Sequence, residues 1–111
     1  MLSLSPATRI FVALQPVDFR LGVNGLVGYI ETVLGQSVLT GHLFAFVNRR
    51  RTRLRLVVFD GSGLWLATKR LEAGRFGWPA DAGVPGTLRP EELQLLVHGL
   101  EGRSRPGWYR R

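Results

Sequence analysis

Gly41-His42-Leu43-Phe44-Ala45-Phe46-Val47-Asn48-Arg49-Arg50-Arg51-Thr52-Arg53-Leu54-Arg55-Leu56-Val57-Val58-Phe59-Asp60-Gly61-Ser62-Gly63-Leu64-Trp65-Leu66-Ala67-Thr68-Lys69-Arg70-Leu71 decides the fold of this chain. Three runs rich in β-branched, aromatic and aliphatic residues are separated by two turn signals. They predict strands over Leu43–Asn48, Arg53–Phe59 and Leu64–Leu71. Asp60-Gly61-Ser62-Gly63 supplies residues that tolerate positive φ, and Arg49-Arg50-Arg51-Thr52 forms the other hairpin tip. Four-residue turns set the register. Phe59 then faces Leu64, Arg55 faces Thr68, Arg53 faces Arg70, Phe46 faces Arg55 and Asn48 faces Arg53.

Side chains alternate along a strand, so this register sorts the residues into two faces. The first carries Phe44, Phe46, Arg53, Arg55, Thr68 and Arg70, with Val57, Phe59, Leu64 and Leu66 nearer the second turn. The second carries Leu43, Ala45, Val47, Leu54, Leu56, Val58, Trp65, Ala67 and Lys69, and is the expected core side on which helices pack. Aromatic residues mixed with cations on the first face are the composition used to bind a single nucleic-acid strand. The residues leave a second reading open, in which the Phe side is also buried, under a loop or a dimer partner, and the arginines snorkel out from its edge.

Outward from this stretch, Arg9–Leu14 reads as a short strand ended by Pro16. Asp18 is a candidate cap for a helix running to about Leu34, whose apolar stripe is Val23, Leu26, Val27, Ile30, Val33 and Leu34. Gly22, Gly25 and Gly28 each cost a helix about 1 kcal/mol relative to Ala, which points to close packing on a sheet or a frayed first turn. Gly35 is a natural stop. On the other side, Arg75–Trp78 reads as a further short strand and residues 80–89 as loop. Pro90, Glu91 and Glu92 open a second helix, with Leu93, Leu96, Val97 and Leu100 inward and Gly99 or Gly102 at its end. The expected architecture is one α+β domain over residues 1–102. It is a mostly antiparallel meander of four to five strands with two helices, followed by a basic, mobile tail over 103–111.

The 111 residues include 15 Lys and Arg against 8 Asp and Glu, a formal charge of +7. Fourteen of the fifteen cations are Arg, whose planar fork suits phosphate and base contacts. A polyanionic partner follows, with nucleic acid ahead of a membrane surface. The absence of cysteine excludes disulfides and thiolate chemistry. Neither a signal-peptide pattern nor an apolar run of the roughly 18 residues a membrane span needs is present, so a soluble cytoplasmic protein is expected. Gly22-x-x-Gly25-x-x-Gly28 does not match the dinucleotide fingerprint, and no phosphate-binding Gly-Lys-Ser/Thr loop occurs. His42 and His98 lack partners at metal spacing, and His42 reads as a turn residue leading into a strand. Asp18, Asp60, Glu72 and Glu91 could be conscripted as a metal-binding carboxylate set. Asp60 already has a structural task in its turn, however, and Glu72 has Arg and Lys neighbours. No catalytic residue, metal or cofactor is therefore expected.

Gly41-His42-Leu43-Phe44-Ala45-Phe46, Asn48-Arg49-Arg50, Asp60 to Leu66 and Lys69-Arg70-Leu71-Glu72-Ala73-Gly74-Arg75-Phe76-Gly77-Trp78-Pro79 together resemble one bacterial family. It is the small accessory protein, the second open reading frame product, of the insertion-sequence-66 family of transposable elements. Asp18-Phe19-Arg20-Leu21-Gly22-Val23-Asn24-Gly25-Leu26 resembles its N-terminal Asp-Met-Arg-Lys-Gly-x-Asp-Gly-Leu segment, with Leu21 where a Lys is usual and Asn24 where an Asp is common. Phe59 stands where a Trp is frequent. The resemblance spans about residues 5 to 101. It implies a role in transposition beside a separate, larger transposase that holds the catalytic carboxylates.

Charge, register and resemblance together predict a non-catalytic accessory protein that binds element DNA through Arg49, Arg50, Arg51, Arg53, Arg55, Lys69, Arg70 and Arg75. The alternative is an interaction module using an apolar patch of Phe44, Phe46, Phe59, Leu64 and Leu66, which docks on the transposase or forms a homodimer. Phe76 and Trp78 alternate with Arg75 and are expected to anchor the segment after the last hairpin strand to the core.

Overall fold

The structure, a computed structural model, describes residues 7–79 and 86–99. The elements run β1 (Ile10–Val12), α1 (Val23–Thr32), a 3-10 turn (Val38–Thr40), β2 (Leu43–Val47), β3 (Arg53–Phe59), β4 (Leu64–Arg70), β5 (Thr87–Leu88) and α2 (Pro90–Val97). They form a single α+β domain on one sheet ordered β4-β3-β2-β1-β5.

The hairpin register is the one the turns dictate. Phe59 faces Leu64, Arg55 faces Thr68, Arg53 faces Arg70 and Phe46 faces Arg55. Each turn is locked by one side chain. Asn48 Oδ1 accepts from the Thr52 and Arg53 amides at 2.9 and 3.0 Å. Asp60 Oδ1 accepts from the Ser62 and Gly63 amides, both at 2.9 Å. The sheet as a whole is mixed, because β1 runs parallel to β2 with α1 as the crossover between them. β5, within the segment read as loop, pairs antiparallel with β1.

Both faces of the sheet centre are covered. Leu43, Ala45, Val47 and Leu54 pack with Ile10, Val12, Phe76, Trp78, Leu93 and Leu96 on the α2 side. Phe44, Phe46 and Val57 pack with Leu26, Ile30 and Val38 on the α1 side. The aromatic side of the hairpins is therefore buried under α1, not under a loop or a second chain. All five residues of β2 are buried, the mark of a strand enclosed from both sides.

Other details depart from the sequence reading. Gly22, not Asp18, precedes α1; Asp18 closes a turn by accepting the Arg20 amide. Val33 lies outside the buried stripe at 59% exposure, while Tyr29 packs edge-on against Phe46. A Cβ at Gly22 or Gly28 would meet open space and one at Gly25 only the Leu21 side chain, so close approach to the sheet does not account for these glycines. The close approach is at Gly86, where a Cβ would run into the Val12 carbonyl beside the Val12 N–H to Gly86 O hydrogen bond. Residues 75–79 form no strand, yet Phe76 and Trp78 are anchors as expected: both are buried, and the Trp78 indole N–H donates to Ala13 O at 2.8 Å. α2 begins and ends as read, with Glu92 Oε1 accepting the Arg89 amide and Gly99 at φ +72° after its last turn. Leu100, Gly102 and the 103–111 tail lie outside the described residues.

Three stability outcomes follow. Trp78→Ala removes a buried indole and its hydrogen bond and should lower stability by about 3–5 kcal/mol in thermal or urea unfolding. Gly28→Ala should raise it by about 0.5–1 kcal/mol, because the helix gains propensity without a clash, whereas Gly86→Ala should lower it by about 1–3 kcal/mol.

Candidate nucleic-acid interface

α1 leaves one end of its sheet face uncovered, and that end carries the arginines. The chain leaves β1 alongside β2, with the Ala13 and Val17 amides donating to Ala45 O and Val47 O. Pro16 and the Asp18–Leu21 turn then rise above β3 before α1 begins. A groove of about 920 Å³ opens between this turn and the β2–β3 hairpin. Arg53 and Arg55 form its floor, Asn48, Arg49 and Arg50 one wall, and residues 16–20 the other. Five arginines and one aspartate, Asp18, line it.

In the floor, Arg55 is held in place by side-chain contacts. Arg55 donates through Nε to Thr68 Oγ1 at 2.9 Å and through Nη1 to Phe19 O at 3.3 Å, and its guanidinium lies 4.4 Å from the Phe19 ring centroid. Partial burial, then the neighbouring Arg53 charge, push the Arg55 pKa down from its ordinary value. Arg53 stands directly across from Arg70, an arrangement of like charges that weakens a sheet. Among the described residues no carboxylate pairs with Arg49, Arg50, Arg51, Arg53 or Arg55. Cations clustered against their mutual repulsion present a site suited to a polyanion.

At the rim, Arg20 is clamped to Asp18 at 2.6 Å and holds that carboxyl down at about 2. Arg51, at the hairpin tip, has φ +61°, the sole non-glycine with positive φ among the described residues. A position that favours glycine thus holds an exposed cation, at a conformational cost of about 1–2 kcal/mol.

The predicted residues separate into groups. Arg49, Arg50, Arg53 and Arg55 line the groove, with Arg51 exposed beside them. Arg70 shares the face but is paired with Glu72 at 3.3 Å. Arg75 is exposed next to the same tip, since the Phe76 amide donates to Arg51 O. Lys69 is on the other face, where its Nζ donates to Val97 O at 2.9 Å, a cation at the negative end of α2. Of the predicted apolar patch, Phe44 and Phe46 are buried beneath α1 and Phe59 is half-buried, so only Leu64 and Leu66 are exposed. The stacking surface on the first face is accordingly absent from β2. Arg20 and Phe19 were missed; their signal was the position of Pro16 and Asp18 just after β1, which returns the chain over the sheet end.

At the far hairpin, Asp60 Oδ2 accepts the Trp65 indole N–H at 2.8 Å. His42 is a residue leading into β2, with Nδ1 accepting the Arg9 amide at 3.0 Å. Among the described residues no three His, Asp or Glu gather to hold a metal ion, and no helix is long and apolar enough to cross a membrane.

The chain matches the family described as "IS66 Orf2 like protein" over residues 8–106, nearly its whole length. It belongs to the IS66 Orf2-like family. It is 45% identical over 101 residues to "Uncharacterized protein y4jC" of Sinorhizobium fredii (strain NBRC 101917 / NGR234), covering 91% of this chain and 86% of that protein. Another protein of the same strain, "Uncharacterized protein y4hO", is 35% identical over 103 residues, covering 93% and 90% of the two chains. No solved structure matches. Family membership implies a role in the transposition of an insertion sequence, in an element that also has a transposase. The groove is formed largely by the two segments quoted for the family, Asp18 to Leu26 and Asn48 to Arg50.

Asp60 gives a pH outcome. Hydrogen bonds from the Ser62 and Gly63 amides, and then from the Trp65 indole, depress its carboxyl from 3.8 to about 2. A depressed folded-state value means stabilisation that is complete above the unfolded value and is lost as pH falls through the folded one. Asp60→Asn should therefore be less stable than the parent at neutral pH, with the difference closing between about pH 4 and pH 2 in thermal melts. A difference that stays constant across that range would remove the charge from the account of this turn.

Proposed function

We propose that the protein is a non-catalytic accessory factor of transposition that binds element DNA by seating phosphates in the groove between Asp18–Arg20 and the β2–β3 hairpin. The observation that carries this reading is the line of Arg49, Arg50, Arg53 and Arg55, close together and without carboxylate partners among the described residues. Arg20 joins them when a phosphate competes with Asp18 for its fork. Burial of Phe44 and Phe46 removes the base-stacking platform, so the reading rests on backbone phosphates, and duplex DNA is the favoured partner. Phosphate contacts of this kind serve affinity and orientation, and sequence selection falls to the transposase or to base edges beyond the groove.

Fluorescence anisotropy with duplex and single-stranded DNA at several salt concentrations tests it. Affinity should fall steeply with salt, and Arg49→Ala with Arg50→Ala should reduce the logarithmic salt slope by about 2. Arg51→Gly, which relieves the positive-φ strain, should be at least as stable as the parent yet bind DNA more weakly. No measurable binding at low salt to either form of DNA would overturn the proposal.

A further inference from the structure

Among the described residues, the edge of β4 is a surface that the fold leaves open. β4 is an edge strand, paired to β3 on one side. Six of its seven residues are exposed, and the seventh, Ala67, is half-exposed. Leu64 at 39% and Leu66 at 41% stand on the α1 face, and Trp65 at 42% stands on the α2 face. The indole is not loose, since Asp60 holds its N–H at 2.8 Å. A helix or loop laid on this edge would cover one face and leave the other wet. Only another strand extending the sheet covers both faces together while pairing the unused backbone groups of the edge.

We propose that this strand is β4 of a second copy, paired antiparallel about Ala67. Centring on Ala67 sets Trp65 opposite the partner's Lys69, Leu64 opposite the partner's Arg70 and Leu66 opposite the partner's Thr68. No two like charges meet. A parallel pairing in register would instead stack Lys69 on Lys69 and Arg70 on Arg70, which is unfavourable. The two cations are also partly neutralised within their own chain, Lys69 by Val97 O and Arg70 by Glu72. Trp65 then lies over the alkyl stem and ammonium of the partner's Lys69, a cation–π arrangement. Leu64 and Leu66 gain cover from the partner's Arg70 and Thr68 side chains.

The pairing has a geometric consequence. The two-fold axis of an antiparallel pair is perpendicular to the sheet, so the two five-stranded sheets merge with both α1 faces on the same side. The two arginine grooves then open on one surface, toward opposite ends of the central strand pair. This last point rests on the reading of the groove as a DNA site; the dimer itself does not.

The test uses the whole chain, freed of nucleic acid at high salt so that DNA cannot bridge two copies. Size-exclusion chromatography with light scattering should give twice the 12.4 kDa chain mass, falling to a single chain mass for Leu66→Lys. The chain has no cysteine, so Ala67→Cys introduces a single thiol at the dyad. Mild oxidation should yield a covalent dimer, because facing residues in an antiparallel pair lie within disulfide reach. Leu39→Cys, on the exposed 3-10 turn, should stay monomeric. A single-chain mass at high concentration together with no Ala67→Cys cross-link overturns the proposal. So does a dimer that cross-links equally well through Leu39→Cys. A monomer whose β4 becomes protected from hydrogen exchange only on adding purified transposase also overturns it, by assigning the edge to a strand of that protein.

Discussion

Enclosure of β2 from both sides is the constraint on which the rest of the structure depends. Leu43–Val47 is buried at every position, so neither sheet face can be left to solvent at the centre. Each fully buried Phe contributes about 1.5–3 kcal/mol, and Phe44 and Phe46 both point to the α1 side. α1 must therefore cross that face, which a parallel β1–α1–β2 connection achieves. The opposite face needs its own cover, supplied by α2 and by Phe76 and Trp78, whose segment is pinned at Arg51 O and Ala13 O. Covering the middle of the sheet consumes the apolar side chains and displaces the charged ones to its margins.

The arrangement of charge follows from that displacement. α1 covers this face over β1 and β2 and as far as Val57 of β3, so β4, the Arg53–Arg55 end of β3 and the β2–β3 turn are where cations can stay hydrated. Arg53, Arg55 and Arg70 occupy the open part of the face, and Arg49, Arg50 and Arg51 the turn. The turn of residues 18–21 converts this margin from a flat basic patch to a groove, with Phe19 gripping Arg55 through its carbonyl and its ring. The fold thereby holds Arg55 through Phe19 and Thr68 and Arg20 through Asp18, with Arg49, Arg50 and Arg53 exposed around them.

Local chemistry made much of this legible in the sequence. Asp60-Gly61-Ser62-Gly63 and Asn48 to Thr52 specify their turns by side-chain hydrogen bonds to the nearby backbone, so strand limits, register and the division of residues between faces could be read directly. Pro90, Glu91 and Glu92 defined the start of α2 in the same way. What escaped was long-range. Nothing local to Ile10–Val12 announces that its neighbour in the sheet is parallel, and a two-residue β5 is too short to carry a pattern. The burial of the Phe face did have a signal, the unbroken apolar run Leu-Phe-Ala-Phe-Val, which suits a strand covered on both sides and not a half-exposed one. The contact of Lys69 is likewise long-range, because the helix end it serves is 28 residues away in the chain.

The central claim is that DNA phosphates sit in the groove built by the Asp18–Leu21 turn and the β2–β3 hairpin. Amide chemical-shift mapping by NMR during titration with a short duplex tests it most directly, because it reads location and not merely affinity. The account predicts that the largest shifts fall on Asp18–Arg20, Asn48–Arg51, Arg53 and Arg55, and that raising the salt concentration reverses them. Shifts concentrated on α2, or on Leu64–Ala67 of β4, with the groove unmoved, would contradict it.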